Sequence, residues 1–369
     1  MKIIKFLRWI ILGFILGAAM IIHFLHIHKG VMYPSVHAIC PLGGLENLWA
    51  WVGGQANLQK LFSGTMTLFF FMIVFALVFG RAFCGNICPF GALQELLGKI
   101  NKRKITVPQK TDKILRYLKY IILIFITVMA WITATIWISP YDPYAAFAHI
   151  WSGKELIEEM PVGFAILIIV LTASIFIDRF FCKYLCPAGA LYGLISKISP
   201  TRISRNCASS CCCSSCRKCS ITCPMNIDVS NTETVKSNEC ITCGQCVTAC
   251  PSQTNCLKTT IFGKTFKQII FTIAIPLIFF SSLAVFHKTG LYQITVPSIE
   301  SVIESGNYLK IADLRGSMSI EVGAEYAGME LSAFYALMEI PQTVPKETWL
   351  KDVSNYVPGY DFHVVKANK

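Results

Sequence analysis

Charge is scarce in this chain. Of 369 residues only 15% are Asp, Glu, Lys or Arg, and acids are the rarer sign, 21 against 33 basic residues, for a formal net charge of +12. Soluble domains carry about 25% charged and about 45–50% apolar residues. Here 54% are hydrophobic and mean hydropathy is +0.54. A wholly soluble chain is thereby excluded, and the apolar surplus belongs in membrane spans. No nucleic-acid-binding motif accompanies the basic residues, so their excess reads as a topology signal, with no nucleic-acid partner implied. The N-terminal apolar stretch lacks a clean small-x-small cleavage site, which argues for a retained helix over a removed signal peptide. Residues 288–369 hold no cysteine and no evident catalytic group.

Elsewhere cysteine is abundant, seventeen in all, and clustered. Clustering of this kind points to metal and to a reducing compartment. The stretch from Cys213 to Cys250 contains two copies of C-x2-C-x2-C-x3-C-P. This is the bacterial ferredoxin run, in which the fourth cysteine of each copy serves the other cluster. The expected ligand sets are therefore Cys213, Cys216, Cys219 and Cys250 for one [4Fe-4S] centre, and Cys240, Cys243, Cys246 and Cys223 for a second. Paired zinc sites are the rival, since C-x2-C also suits zinc; two complete tandem copies favour iron–sulfur. Cys207, Cys211, Cys212 and Cys256 exceed what two clusters need.

Apolar runs predict about five spans: the N-terminus to about Ile27, then roughly 65–81, 117–139, 162–177 and 266–286. Each approaches the ~20 residues that cross a bilayer core. Gly13 and Gly17 form a GxxxG expected to admit a neighbouring helix. His23 and His26 share a helix face and could ligate haem or bond a quinol, against the plainer reading of polar residues closing a span. Residues 30–63 read as a loop, with Trp49 and Trp51 at an interface and His37 and Cys40 as a weak metal pair.

A repeat runs through the membrane part: CPLGGLENL, CPFGALQEL and CPAGALYGL. Only the last two carry an upstream cysteine, giving the C-x3-C-P pairs Cys84/Cys88 and Cys182/Cys186. Proline after the second cysteine suits the first turn of a new helix. Each motif is expected to mark a span turning into a short interfacial helix. The four thiols could bind a metal or a further cluster, cycle between dithiol and disulfide, or simply pack closely at a bend.

Basic residues follow the second span, from Lys99 to Lys119, and acids follow the third, Asp142, Glu155, Glu158 and Glu159. Basic loops stay cytoplasmic. The expected arrangement is a multi-pass protein of the cytoplasmic (inner) membrane, with both C-x3-C-P motifs and the cluster insert inside and the tail outside. Arg202, Arg205, Arg217 and Lys218 should raise the cluster potential and could steer an acidic donor, although positive-inside bias alone would account for them.

The expected fold is mainly α: a polytopic membrane helix bundle with a bacterial two-[4Fe-4S] ferredoxin-like insert and a small helical C-terminal domain. The divisions are 1–199, 200–262, 263–289 and 290–369. In the last, SMSIEVGAEYAGMELSAFYALMEIP reads as two short helices broken near Gly328 and stopped by Pro341.

GRAFCGNICPFGALQELL, DRFFCKYLCPAGALYGLI and the eight cluster cysteines, with YPSVHAICPLGGLENLW, resemble the NapH/NosR-type membrane polyferredoxins over roughly residues 1–290. The resemblance implies cluster ligation by those eight cysteines and a redox role for Cys84, Cys88, Cys182 and Cys186. It implies an electron conduit between membrane quinone or quinol, or a soluble donor, and respiratory reductase or cytochrome subunits. The chain differs from NosR in lacking a large N-terminal flavin domain and from NapH in its added tail. Two other functions remain open at this point: a copper or other metal reductase and assembly factor, similar to cytochrome-oxidase assembly polyferredoxins, and a membrane redox sensor.

Overall fold

The computed structural model describes residues 2–29, 33–34, 40–52, 63–101, 103–105, 107–133, 136–205, 216–250, 256–295, 300, 302, 306, 308–309, 311, 314 and 316–367. Long apolar runs become helices because a bilayer leaves the backbone no partner but itself. Helix α1 spans Lys2–Lys29, α2 Pro41–Val52, α3 Ser63–Phe79, α4 Ala82–Asn86 and α5 Pro89–Leu97. Next come α6 (Gln109–Leu115), α7 (Leu118–Thr133), α8 (Pro143–Ala148), α9 (Lys154–Glu159), α10 (Pro161–Phe176), α11 (Phe180–Tyr184) and α12 (Pro187–Ser196). Among the described residues, Lys2–Lys29, Gln109–Thr133 and Gln268–Lys288 are long and apolar enough to cross a membrane; Gly64–Phe79 and Pro161–Phe176 are apolar but shorter.

Two cores hold the bundle. One joins α3, α4 and Tyr192 of α12 to Phe271, Ile275 and Phe279. The other packs Phe90 and Phe181 against Ala145–Ala148, Leu167 and Val170. Helix α1 serves both, with Ile15 in the first and Leu16 and Met20 against the second.

The insert between α12 and the last long helix adds a four-stranded antiparallel sheet in the order β2-β1-β3-β4: β1 Arg202–Arg205, β2 Thr234–Val235, β3 Leu257–Ile261 and β4 Lys264–Phe266. Phe262 and Gly263 join β3 to β4 with φ of 50° and 77°, the two left-handed positions of a tight hairpin turn. Helix α13 (Lys218–Ile221) and α14 (Gln245–Ala249) carry the cysteine loops, and α15 (Gln268–Lys288) follows β4. The tail has its own core of Leu314, Ile320, Phe334, Met338, Leu350 and Val353. Its helices Ile320–Tyr326 and Leu331–Leu337 are separated at Gly328, whose φ is 65°.

Two sequence expectations are corrected. The stretch read as loop contains α2, a 12-residue helix. Its Gly44 lies so close to α3 that a Cβ there would sit 2.2 Å from that of Phe69. Gly44, which blurs its hydropathy, is what lets it dock. Conversely, among the described residues nothing lies within 4 Å of where a Cβ on Gly13 or Gly17 would stand, so no described helix of this chain closes on the GxxxG face of α1.

Candidate electron-transfer site

The two C-x3-C-P motifs fold alike. An apolar helix ends, an arginine turns the chain, a five-residue helix carries the first cysteine, and the second cysteine caps the next helix. Cys84 lies on α4 and Cys88 caps α5; Cys182 lies on α11 and Cys186 caps α12. The caps are sulfur: Gly91 N–H donates to Cys88 Sγ at 3.4 Å and Gly189 N–H to Cys186 Sγ at 3.3 Å. Pro89 and Pro187 occupy the first helical position, where a missing N–H costs nothing. Gln94 Nε2 donates to Cys182 Sγ at 3.4 Å, tying the repeats together.

Each repeat's arginine crosses to the other. Arg81 Nη2 stands 2.9 Å from where a Cβ on Gly189 would lie, and Arg179 Nη1 2.9 Å from the matching point on Gly91. Arg179 Nη1 also donates to the Cys84 carbonyl at 2.6 Å. Both arginines are essentially inaccessible, at 1% and 0% exposure. Buried charge must be paired, and two glutamates pair it. Glu95 accepts from Arg8 at 2.6 and 2.9 Å, from Arg179 Nη2 at 2.7 Å and from Gln245 at 2.8 Å. Glu239 accepts from Lys119 at 2.6 Å and from Arg81 at 3.0 Å. Burial alone would raise Glu95, but Arg179 and Arg8 outweigh it and hold the carboxyl at about 2.

These ion pairs seat the insert on the bundle. Glu239 precedes Cys240 and Gln245 precedes Cys246, so the second cysteine loop is held at two points, each one residue from a predicted ligand. The sequence reading missed Arg8, Glu95, Arg81, Lys119, Arg179 and Glu239. A signal existed: an arginine stands three residues before the first cysteine of both C-x3-C-P motifs, and charge at a span terminus is costly unless used.

The predicted second ligand set converges. Cys223, Cys240, Cys243 and Cys246 line one cavity whose other walls include Met225 and Ile241. Burial, then the neighbouring Cys223 and Cys243 sulfurs, push the Cys240 thiol up to about 12. A cationic core would relieve that crowding by taking the protons' place. Four thiols in an apolar wall are the donor chemistry of an iron–sulfur cluster, and the residues fit one.

Of the predicted first set, Cys219 and Cys250 are buried in one core with Ile203, Val235 and Leu257, and Cys216 is partly buried. Cys213 lies outside the described residues, as do His37, Cys207, Cys211 and Cys212. Cys256 is fully buried and disulfide-bonded.

The membrane repeats touch the second set directly. A Cβ on Gly85, the residue after Cys84, would meet the Ile241 carbonyl oxygen at 2.2 Å and Cys243 Cα at 3.2 Å. Cys84 packs against Met225, Ile241 and Cys243. At the matching place in the other repeat, Lys183 is buried within electrostatic reach of Asp112 and Cys223. The two turns thus straddle one cysteine cavity. Cys40, ahead of α2, is within electrostatic reach of Asp142 and Glu46. His23 is buried beside Tyr144 and Phe147, with neither ring nitrogen bonded among the described residues, while His26 Nδ1 contacts the Tyr33 carbonyl.

A 4Fe-4S binding domain family matches residues 63–108 and 159–206, one match for each repeat. The Escherichia coli protein YccM, named as a proposed electron transport protein, is 35% identical over 219 residues, 57% of this chain and 60% of YccM. The match therefore spans less than two thirds of that relative. An uncharacterized Methanocaldococcus jannaschii protein is 30% identical over 202 residues, 53% of this chain and 71% of its own length. The ferredoxin-type protein NapH of Escherichia coli is 24% identical over 205 residues, 53% of this chain and 63% of NapH. No solved structure matches the chain significantly. With duplicated cysteine turns under one family match and relatives of this kind, the chain belongs to the NapH/NosR-type membrane ferredoxin family.

Proposed function

We propose that this protein is a membrane-bound iron–sulfur electron carrier working between a quinone pool or soluble donor and a respiratory reductase or cytochrome partner. In this reading Cys213, Cys216, Cys219 and Cys250 hold one [4Fe-4S] cluster, and Cys240, Cys243, Cys246 and Cys223 hold another. The observation that carries it is the seating of Gly85 on Cys243, which puts a C-x3-C-P turn against a cluster loop. Bound clusters supply one-electron centres whose potential the protein tunes through charge, hydrogen bonds and burial.

The chain's own residues do the tuning and the positioning. Arg81, Arg179 and Lys119 bring buried positive charge beside the cysteine loops and favour an added electron. Met225 and Ile241, at 0% and 2% exposure, keep water from the second set. Glu95 and Glu239 fix the loops and keep the cations from repelling one another. Cys84, Cys88, Cys182 and Cys186 form a further redox or metal site between that cavity and the membrane interior.

The apolar helices α1, α3, α10 and α15, with Gln109–Thr133, are read as five spans of the cytoplasmic membrane. The insert then faces the cytoplasm and the tail faces out. The test is iron and sulfide counting with EPR on anaerobically purified chain, followed by reduction with a quinol analogue in membranes. About eight irons are expected, four per cluster, with quinol-dependent signal. Iron far below this removes the paired-cluster reading, and full iron without quinol reduction removes the quinone pool as donor.

A further inference from the structure

The two C-x3-C-P repeats run in step and part company at one place. Gln94 and Glu95 of the first stand where the second has Tyr192 and Gly193. In the first repeat Gln94 Nε2 reaches across to Cys182 Sγ at 3.4 Å. Glu95 accepts from Arg179 Nε at 3.2 Å and Nη2 at 2.7 Å, and Nη1 goes to the Cys84 carbonyl. All three nitrogens of Arg179 are thus engaged.

Arg81 is the counterpart of Arg179, but Gly193 offers it no carboxylate. A side chain there would crowd the insert: a Cβ on Gly193 would lie 3.3 Å from the Asn238 carbonyl oxygen and 3.9 Å from Arg81 Nη1. The insert replaces the missing acid only in part. Glu239 and the Asn238 carbonyl both take Nη1, at 3.0 and 3.2 Å. Arg81 Nε and Nη2 are buried with no hydrogen-bond partner among the described residues. The same holds for the hydroxyl of Tyr192, a residue only 2% exposed. Buried donors are costly unless met, and three together call for an acceptor.

Sulfur is the acceptor at hand. Arg81 Nη2 and Cys186 Sγ lie 2.9 and 3.5 Å from one point, the place of a Cβ on Gly189. Cys84 packs against the core that contains Tyr192. The Tyr192 hydroxyl is within electrostatic reach of Cys40, Cys84, Cys186 and Cys88, and Arg81 of Cys84, Cys186 and Cys182. By the symmetry of the repeat, Tyr192 stands to Cys84 as Gln94 stands to Cys182.

We propose that Arg81, through Nε and Nη2, and the Tyr192 hydroxyl donate hydrogen bonds to the negatively charged sulfur centre of the C-x3-C-P site. Both are positioning residues that act through the sulfurs of Cys84 and Cys186. The inference rests on the redox or metal reading of the four cysteines and adds what sets their potential. Hydrogen bonds to sulfur stabilise the form carrying more negative charge, so these donors favour the reduced site. Arg81 also couples two centres. Its Nη1 serves the second cysteine loop through Glu239, so charge gained at either place is felt at the other.

The experiment is infrared and visible difference spectroscopy of the full chain in lipid nanodiscs, poised over a range of potentials. The transition belonging to this site is the one lost in Cys84→Ser with Cys182→Ser. Tyr192→Phe keeps the ring and removes the donor. At the midpoint of the unaltered chain, its reduced-to-oxidised ratio should fall at least about tenfold, near 1.4 kcal/mol. Tyr192→Gln, which copies Gln94, should recover most of that loss. A tyrosine C–O band should accompany the transition in the unaltered chain and vanish in Tyr192→Phe. Size exclusion and iron content report folding; if Tyr192→Phe does not fold, Arg81→Lys decides by the same fall in ratio. An unmoved ratio in folded Tyr192→Phe, or in Arg81→Lys where that variant decides, overturns the proposal and leaves the donors to water. In that case the transition is still present, so the reading of the four cysteines stands and the donors alone fall. If the double cysteine variant loses no transition, the redox reading falls and this proposal falls with it.

Discussion

At the scale of single residues, two positions bear directly on electron passage and on stability. Gly85 has no room for a side chain, because its Cβ would collide with the Ile241 carbonyl oxygen. Gly85→Ala must therefore push the C-x3-C-P turn off the cluster loop. We expect full iron content with slower intramolecular electron transfer, seen by freeze-quench EPR; an unchanged rate would show that the contact does not conduct. Glu95 makes a different prediction. Its folded pKa of about 2 lies below the ordinary value of 4.5. The stabilisation is thus complete above pH about 4.5 and is lost as pH falls toward 2. A shift of this size corresponds to about 3 kcal/mol. Glu95→Gln should flatten that acid limb in thermal melts across pH 2–5, and because it strands Arg8 and Arg179 it should lower stability at pH 7 as well, by about 3–5 kcal/mol.

Elements built by duplication make the next set of predictions. The two turn units present four thiols, of which Cys88 and Cys186 each accept from a backbone amide of their own unit, Gly91 or Gly189, a glycine covered by the arginine of the other unit. On the proposed two-cluster reading, Cys84→Ser with Cys182→Ser should leave the iron count unchanged while electron delivery to a partner falls. Loss of a bound non-iron metal instead would shift the reading toward metal handling. Helix α2 is testable by packing: Gly44→Val places atoms on Phe69 and Thr65 and should cost about 1–3 kcal/mol, read as a change in Trp49 emission where Trp49 stacks on Trp131. These elements also show what a sequence discloses. The gathering of Cys223, Cys240, Cys243 and Cys246 round one cavity is legible because the spacing that brings most of them together is short and local. The cap prolines are legible because helix starts are local too. Helix α2 was hidden because its Gly44 serves a neighbour 25 residues away, Phe69, and the Arg8–Glu95 pair because its members stand 87 residues apart.

For the whole molecule, the prediction is topological. Single-cysteine labelling in a background that keeps the cluster ligands should find position 233 reachable from the cytoplasm and position 354 from outside; the reverse would invert the assigned orientation. The architecture also has a consequence for biogenesis. When α1 first emerges, its Arg8 has no counter-ion, since Glu95 has yet to be synthesised, and Arg81 waits longer still for Glu239. Nascent chains should therefore linger with arginines exposed near the headgroups, where insertion machinery and anionic lipid can shelter them. Only a ribosome that has reached the start of the last cysteine loop has made every acid needed to neutralise these buried arginines, so truncation before Glu239 should leave a product that quality-control proteases remove.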